Sequence, residues 1–169
     1  MKAAFIKRTG SPDTIVVGDL SPPCLGPRDV LIRVKKCSVN PIDTYVRAGL
    51  VAMPLTFPFV VGSDFAGDIL ATGCDVDGFR PGMKVWGSNQ GLLGRPGCFA
   101  ENIAVHERWV YPKPEGVSYE TASAAALVSM TACLGLLHHA CIAEGETIFV
   151  NGGSGAVGIA VVQIAKALG

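Results

Sequence analysis

The sequence predicts a mainly β body with an α/β C-terminal part, and three observations carry that prediction. Up to about residue 110, short β-branched and aromatic runs alternate with turn signals. The 21 glycines and 11 prolines among 169 residues suit a bent, barrel-like all-β body better than a helix bundle. After Lys113-Pro-Glu-Gly116 the chain turns to small residues at helical length, then ends on a β-branched run, a glycine cluster and an apolar helical run.

The candidate strands are 2–7, 15–20, 30–39, 60–72, 84–87, 100–105 and 109–111. Ser21-Pro-Pro23, Leu25-Gly-Pro27, Arg80-Pro-Gly82 and Arg95-Pro-Gly97 punctuate them as turns. Val30-Leu-Ile-Arg-Val-Lys35 alternates imperfectly, as a strand with one wet face does. Asn40-Pro41 is a common turn dipeptide. Ser118 is a candidate N-cap; Thr121 three residues on gives no capping box, but Glu120 still favours a helix start. From Ala122 to Ala140 the small residues predict one or two closely packing helices.

Lys+Arg and Asp+Glu balance at 14 each, so there is no basic field for nucleic acid or anionic lipid. The N-terminus lacks a signal-peptide apolar core. The run Ala122–Leu137 holds Ser123, Ser129 and Thr131 and reads as too short and too rich in small residues for a membrane span. The expectation is a soluble, cytoplasmic protein without nucleic-acid or membrane partners. Six cysteines, none in a Cys-x-x-Cys pair and none at ligand spacing from a histidine, read as reduced, mostly buried thiols. His138 and His139 are adjacent, about 100° apart on a helix, and read as surface or capping residues.

The richest segment is Glu146-Thr-Ile-Phe-Val150, then Asn151-Gly-Gly-Ser-Gly-Ala-Val-Gly158, then the helical run Ile159–Leu168. Strand, turn and helix put Gly153, Gly155 and Gly158 in the G-x-G-x-x-G register of a dinucleotide site. Gly153 is expected to take φ > 0 as the chain leaves the strand. Gly155 leaves room for a pyrophosphate, Gly158 lets helix and strand pack closely, and the amides of Ala156 and Val157 face the phosphates.

Several segments now resemble a known family. They are Cys37-Ser-Val-Asn-Pro-Ile-Asp-Thr-Tyr-Val-Arg-Ala-Gly49, Phe57-Pro-Phe-Val-Val-Gly-Ser-Asp-Phe-Ala-Gly67, Val76-Asp-Gly-Phe-Arg-Pro-Gly-Met-Lys-Val85, Ala122–Ala132 and the glycine turn. Together they resemble the medium-chain dehydrogenase/reductases, in the zinc-free quinone oxidoreductase branch that includes zeta-crystallin. The resemblance implies a GroES-like catalytic domain over residues 1–115. Residues 116–169 would be interdomain helices and the first βα unit of a truncated Rossmann nucleotide-binding domain. Where zinc-dependent members carry ligands, this sequence has Asn40 and Ser63-Asp64, and residues 88–98 hold one cysteine where those members have a four-cysteine lobe. Neutral Asn and Ser are poor zinc ligands, so no metal is expected.

The resemblance implies hydride transfer from a nicotinamide to an electron-poor acceptor, a quinone or an enone. Conjugation there lets hydrogen-bond donors stand in for a Lewis acid. Asn40 and Tyr45 are the candidate donors, with Asp43 orienting Asn40, Tyr45 or a water, and Asp64 supporting the former metal site. Asn40 as a turn residue and Tyr45 as a half-buried core ring remain alternatives. Thr131 matches the family threonine beside the nicotinamide; alternatively it bonds its own helix carbonyl. NADPH is the cofactor the family implies, with NADH left open because the residue reading the ribose 2′ position follows the second strand. A homodimer, and inactivity of this chain by itself, are also expected. Enone, alkenal or enoyl-thioester reduction, and a non-catalytic crystallin-like role, are the competing readings.

Overall fold

Eight strands build two antiparallel sheets. They are β1 (Lys2–Ile6), β2 (Ile15–Asp19), β3 (Asp29–Ser38), β4 (Phe59–Val60), β5 (Asp64–Thr72), β6 (Lys84–Gly87), β7 (Asn102–His106) and β8 (Val110–Pro112). The smaller sheet has the order β2-β1-β4 and the larger β7-β3-β5-β6-β8. The computed structural model describes all 169 residues, which divide into two compact units, Met1–Ala124 and Ala125–Gly169.

Alternation explains the first unit's core. Val30 and Ile32 of β3 are fully buried and pack with Phe65, Ile69, Val85, Ile103, Val105 and Val110 of the same sheet. A second cluster joins Ile6, Val46, Phe59 and Val61. β5 passes close against β3 at Gly67. A Cβ there would lie 2.1 Å from the Arg33 carbonyl oxygen and 2.9 Å from Ile32 Cγ2. Gly67→Ala is therefore expected to destabilise the unit by about 3 kcal/mol or more, since backbone cannot yield as a side chain can. Thermal unfolding of the variant checks this; an unchanged Tm would show that the strands separate easily.

The sequence's single strand over 60–72 is two strands. Gly62, at φ +106°, breaks it, and a Cβ there would stand 2.3 Å from the Phe99 ring. The break leaves Ser63 and Asp64 fully buried at the head of β5. Residues 88–99 then run back along this break. Gln90 donates its backbone N–H to the Ser63 carbonyl, Gly97 to Val60, Cys98 to Gly62 and Phe99 to Val61.

Asn40-Pro41 begins a helix, α1 (Pro41–Ala48), and not the turn of the alternative reading. Its end signals are all local: Asn40 at the N-cap, Pro41 in the first turn, Asp43 at N3, and Gly49 at φ +80° closing it. Helix α2 (Tyr119–Cys133) begins as the sequence indicates, with Ser118 Oγ accepting the Thr121 backbone N–H at 3.1 Å. Three ties hold its start to the large sheet. The Tyr119 hydroxyl donates to Asp68, Lys36 pairs with Glu120 at 2.9 Å, and Ser38 Oγ donates to the Ser123 carbonyl at 3.0 Å. Burial and the Asp68 carboxylate push the Tyr119 hydroxyl up to about 12.

In the second unit α2 continues into a π-helical stretch, Leu134–His139, and α3 (Ala156–Ala167) follows the glycine turn. The continuous run Tyr119–His139 is 21 residues with mean hydropathy 1.5. The helix is longer than the run Ala122–Leu137 on which the expectation rested. By length and composition it passes, as core helices of globular proteins also do. The strand expected at 146–150 is not formed. A strand requires a partner, and residues 147–150 pair with nothing in this chain, leaving Phe149 93% exposed. His138 and His139 are exposed and in edge-to-face contact, ring centroids 5.1 Å apart. The expected burial of the thiols is also corrected. Cys98 is buried and Cys133 half-buried, while Cys24, Cys37, Cys74 and Cys141 are exposed; all six are free.

Candidate active site

Asn40, Asp43, Ser63 and Asp64 meet in the first unit as one buried hydrogen-bonded cluster. The N-terminus of α1 supplies the first two and the head of β5 the others. Asn40 is 5% exposed, Asp43 7%, and Ser63 and Asp64 are fully buried. Asp43 Oδ2 accepts the Asn40 backbone N–H at 2.7 Å, which caps the helix, and Asp43 Oδ1 accepts the Ser63 hydroxyl. The Asn40 side-chain amide donates through Nδ2 to Asp64 Oδ2 at 2.9 Å. Asp64 Oδ2 also lies 3.0 Å from Ser38 Oγ, and the Asp64 carbonyl accepts the Cys98 thiol at 3.0 Å.

This arrangement fixes Asn40 twice, by backbone to one carboxylate and by side chain to the other. A primary amide has two N–H donors, so one remains to serve an oxygen outside the cluster. Tyr45 is on the same helix, 48% exposed, and belongs to none of the buried core clusters. Its hydroxyl joins none of the hydrogen bonds to Asn40, Asp43 or Asp64. Ser38 and Ser63 are the cluster members that sequence reasoning did not name as site residues. Ser63 had a signal in its place at a zinc-ligand position of the family pattern; Ser38 had only its place at the end of a strand.

Burial pushes the Asp43 carboxyl above its ordinary range. The bonds from Ser63 and from the Asn40 backbone pull it back down, and the nearby Asp64 adds to the rise. Burial likewise pushes the Cys98 thiol well up. For Asp43, a raised folded-state pKa means that the native state binds more protons than the unfolded state in the window between the two pKa values. Its contribution to stability is present at the acidic side and is lost as pH rises through the folded pKa. Asp43→Asn is near-isosteric, with its oxygen able to accept the Asn40 N–H and its NH₂ able to donate to Ser63. Urea unfolding across this window is expected to show a flatter stability profile in the variant than in the parent. Parallel profiles would mean that Asp43 is not perturbed.

The second unit holds the glycine turn. The positive φ expected of Gly153 belongs instead to Gly152, at +75°. The turn closes through the Gly155 N–H to the Gly152 carbonyl, 2.9 Å. That bond places the tight bend one residue earlier than the motif suggests. Gly155 is the N-cap of α3, so Ala156 and Val157 are its first two residues, and their amides have no acceptor within the helix. A Cβ on Gly158 would sit 2.3 Å from the Gly152 carbonyl oxygen and 2.6 Å from Gly153 Cα. Gly158 therefore packs on the glycine turn, not on a strand. Thr131 Oγ1 donates to the Leu127 carbonyl at 2.9 Å, the local bond of the alternative reading; the oxygen keeps its lone pairs for an outside donor.

Comparison with known proteins supplies the lineage. The alcohol dehydrogenase GroES-like domain matches residues 26–115, more than half of the chain. The chain belongs to this family. A quinone oxidoreductase of Sus scrofa is 36% identical over 170 residues, covering 100% of this chain and 50% of that protein. Among solved structures, the quinone oxidoreductase of Pseudomonas syringae pv. Tomato DC3000 superposes with a TM-score of 0.88 at 31% identity, covering 99% of this chain and 50% of its own. The Escherichia coli quinone oxidoreductase, solved in complex with NADPH, gives 0.88 at 25% identity, again over 100% and 50%. This GroES-like chain spans about half the length of the curated quinone oxidoreductases it is similar to.

Proposed function

We propose that this GroES-like chain belongs to an NAD(P)H-dependent, zinc-independent oxidoreductase that reduces quinones or other activated carbonyl and alkene acceptors. The observation that carries the reading is the doubly fixed Asn40 amide, held by Asp64 and capped through Asp43 where zinc-dependent relatives place a metal ligand. A preorganised donor costs no reorganisation when charge develops on the acceptor oxygen, which is how it replaces a Lewis acid. Tyr45, exposed on the same helix, is a second donor able to reach a bound acceptor. Residues 1–115 are the catalytic domain in this reading, and 116–169 begin the nucleotide-binding domain. The chain's own groups suit a dinucleotide. Gly155 opens the approach, the amides of Ala156 and Val157 meet the phosphates at a helix N-terminus, and Gly158 keeps that helix against the turn. Thr131 is the residue assigned to the nicotinamide side. When bound, the cofactor supplies the hydride; NADPH is favoured by the complex of the E. coli relative. The whole protein is a cytoplasmic homodimer in this proposal.

The test is NADPH oxidation with a small quinone, by a chain of the relatives' full length carrying these residues, with metal content measured on the same sample. Turnover without zinc is expected. No oxidation with any quinone or enone, or turnover that requires near-stoichiometric zinc, would remove the proposal.

A further inference from the structure

Ser38 sits between the candidate site and helix α2, and its hydroxyl is over-committed. A serine hydroxyl carries one proton. Ser38 Oγ lies 3.0 Å from Asp64 Oδ2 and 3.0 Å from the Ser123 carbonyl oxygen. If Asp64 is ionised, both are acceptors, and one of the two contacts sets oxygen lone pairs against each other. A proton on Asp64 Oδ2 removes the conflict: Asp64 donates to Ser38, and Ser38 donates to Ser123. The count at Asp43 runs the other way. Both of its oxygens face hydrogen donors, the Asn40 backbone N–H at 2.7 Å and the Ser63 hydroxyl. Asp43 is also in the first turn of α1, where the helix dipole favours negative charge. The donors to the two buried carboxylates named here are all neutral, and two like charges in one buried pocket oppose each other.

We propose that Asp43 is the anion of this pair and Asp64 the neutral acid, and that Ser38 and Asp64 are positioning residues for the Asn40 amide. The proposal rests on the reading of Asn40 as the donor to the acceptor oxygen. An amide that gives one N–H to a full anion becomes a poorer donor through the other, because hydrogen bonds in a chain polarise one another. A neutral Asp64 orients Nδ2 at 2.9 Å and leaves the second N–H a strong donor. Titratable groups near Asp64 include Asp43 from α1 and Cys98 from the segment before β7, with Cys37 of β3 beside both. Helix α2 contributes Ser123, which does not titrate, and the Lys36–Glu120 pair lies outside with both side chains exposed.

The test follows the aspartate carboxyl carbons by ¹³C NMR through a pH titration, in the full-length chain used for the turnover assay. Asp64→Asn and Asp43→Asn assign the two resonances. Asp64 is expected to remain protonated through neutral pH while Asp43 ionises first. Ser38→Ala removes the acceptor of the acid's proton and is expected to move the Asp64 titration to lower pH; Ser38→Thr, which keeps the hydroxyl, restores it. The alkaline limb of kcat/KM for a small quinone is expected to move with the Asp64 titration. A wild-type Asp64 that is ionised at neutral pH overturns the proposal even if Ser38→Ala fails to fold. So does an upward shift in Ser38→Ala, or a kcat/KM limb that stays fixed while the carboxyl titration moves. Absence of all turnover counts against the proposed function instead, and the NMR titration still decides where the proton is.

Discussion

Asn40→Ala, in a chain of full family length, is expected to lower kcat/KM for an electron-poor acceptor by roughly 10²–10³, the loss typical of one preorganised oxyanion donor. Cofactor affinity should be unchanged. The two effects separate because the substitution leaves the local fold its support. Asp43 caps α1 through the backbone N–H of residue 40, which alanine retains. What disappears is the amide between Asp64 and the acceptor. Tyr45→Phe is expected to act in the same direction and more weakly, since nothing in the chain fixes its exposed hydroxyl. Steady-state kinetics beside a direct cofactor titration are the measurement. Full turnover in Asn40→Ala, with circular dichroism matching the parent, would reduce Asn40 to a structural cap.

The second large effect concerns this 169-residue chain by itself. It is expected to associate through residues 146–168 and to oxidise no NADPH. Phe149 is 93% exposed, and Val157, Ile159 and Val162 are also exposed on α3. In a doubly wound sheet such residues are covered on both faces. Residues 147–150 also present unpaired backbone, a template for strand pairing. A dinucleotide crevice needs strands on both sides of the topological switch point, and this chain offers the glycine turn alone. Light scattering at micromolar concentration should report an oligomer, and Phe149→Asp with Ile159→Lys should reduce it. A monomeric parent chain, or reductase activity from it, would refute this expectation.

Much of the β body was legible because its signal is local. Alternation with one buried face sets β3, and the turn dipeptides bound most strands within a residue or two. The break at Gly62 was hidden because the run is apolar on both sides of Ser63-Asp64; the packing of Phe99 against Gly62 shows why the strand must interrupt. Helix α1 was legible and was missed. Asn, Pro, Asp and Gly stand at its N-cap, N1, N3 and C-terminal positions, but Asn-Pro is equally a common turn dipeptide. The candidate site follows the same division. Asn40, Asp43, Ser63 and Asp64 stand in positions the family resemblance marks, whereas the part played by Ser38 enters through contacts with Asp64 and Ser123, 26 and 85 residues away in sequence. The bend at Gly152 in place of Gly153 escaped because adjacent glycines are equally permissive. The pairing of 146–150 depends on strands this chain does not provide.

The seam between residues 60–63 and 88–99 bears on how substrate range could be altered. Its two backbones touch with almost no side chain between them. A Cβ on Gly97 would lie 2.3 Å from the Val61 carbonyl carbon, and one on Gly91 2.8 Å from the Gly62 oxygen. Ser63 and Asp64 hang directly from that seam, so diversity introduced at 62, 91 or 97 would be spent on misfolded clones. Val39, Tyr45 and Leu50 flank the same cluster in sequence and are 73%, 48% and 75% exposed. Under the proposed function, a mutant library meant to change acceptor preference would keep the glycine seam and Tyr45 constant and randomise Val39 and Leu50.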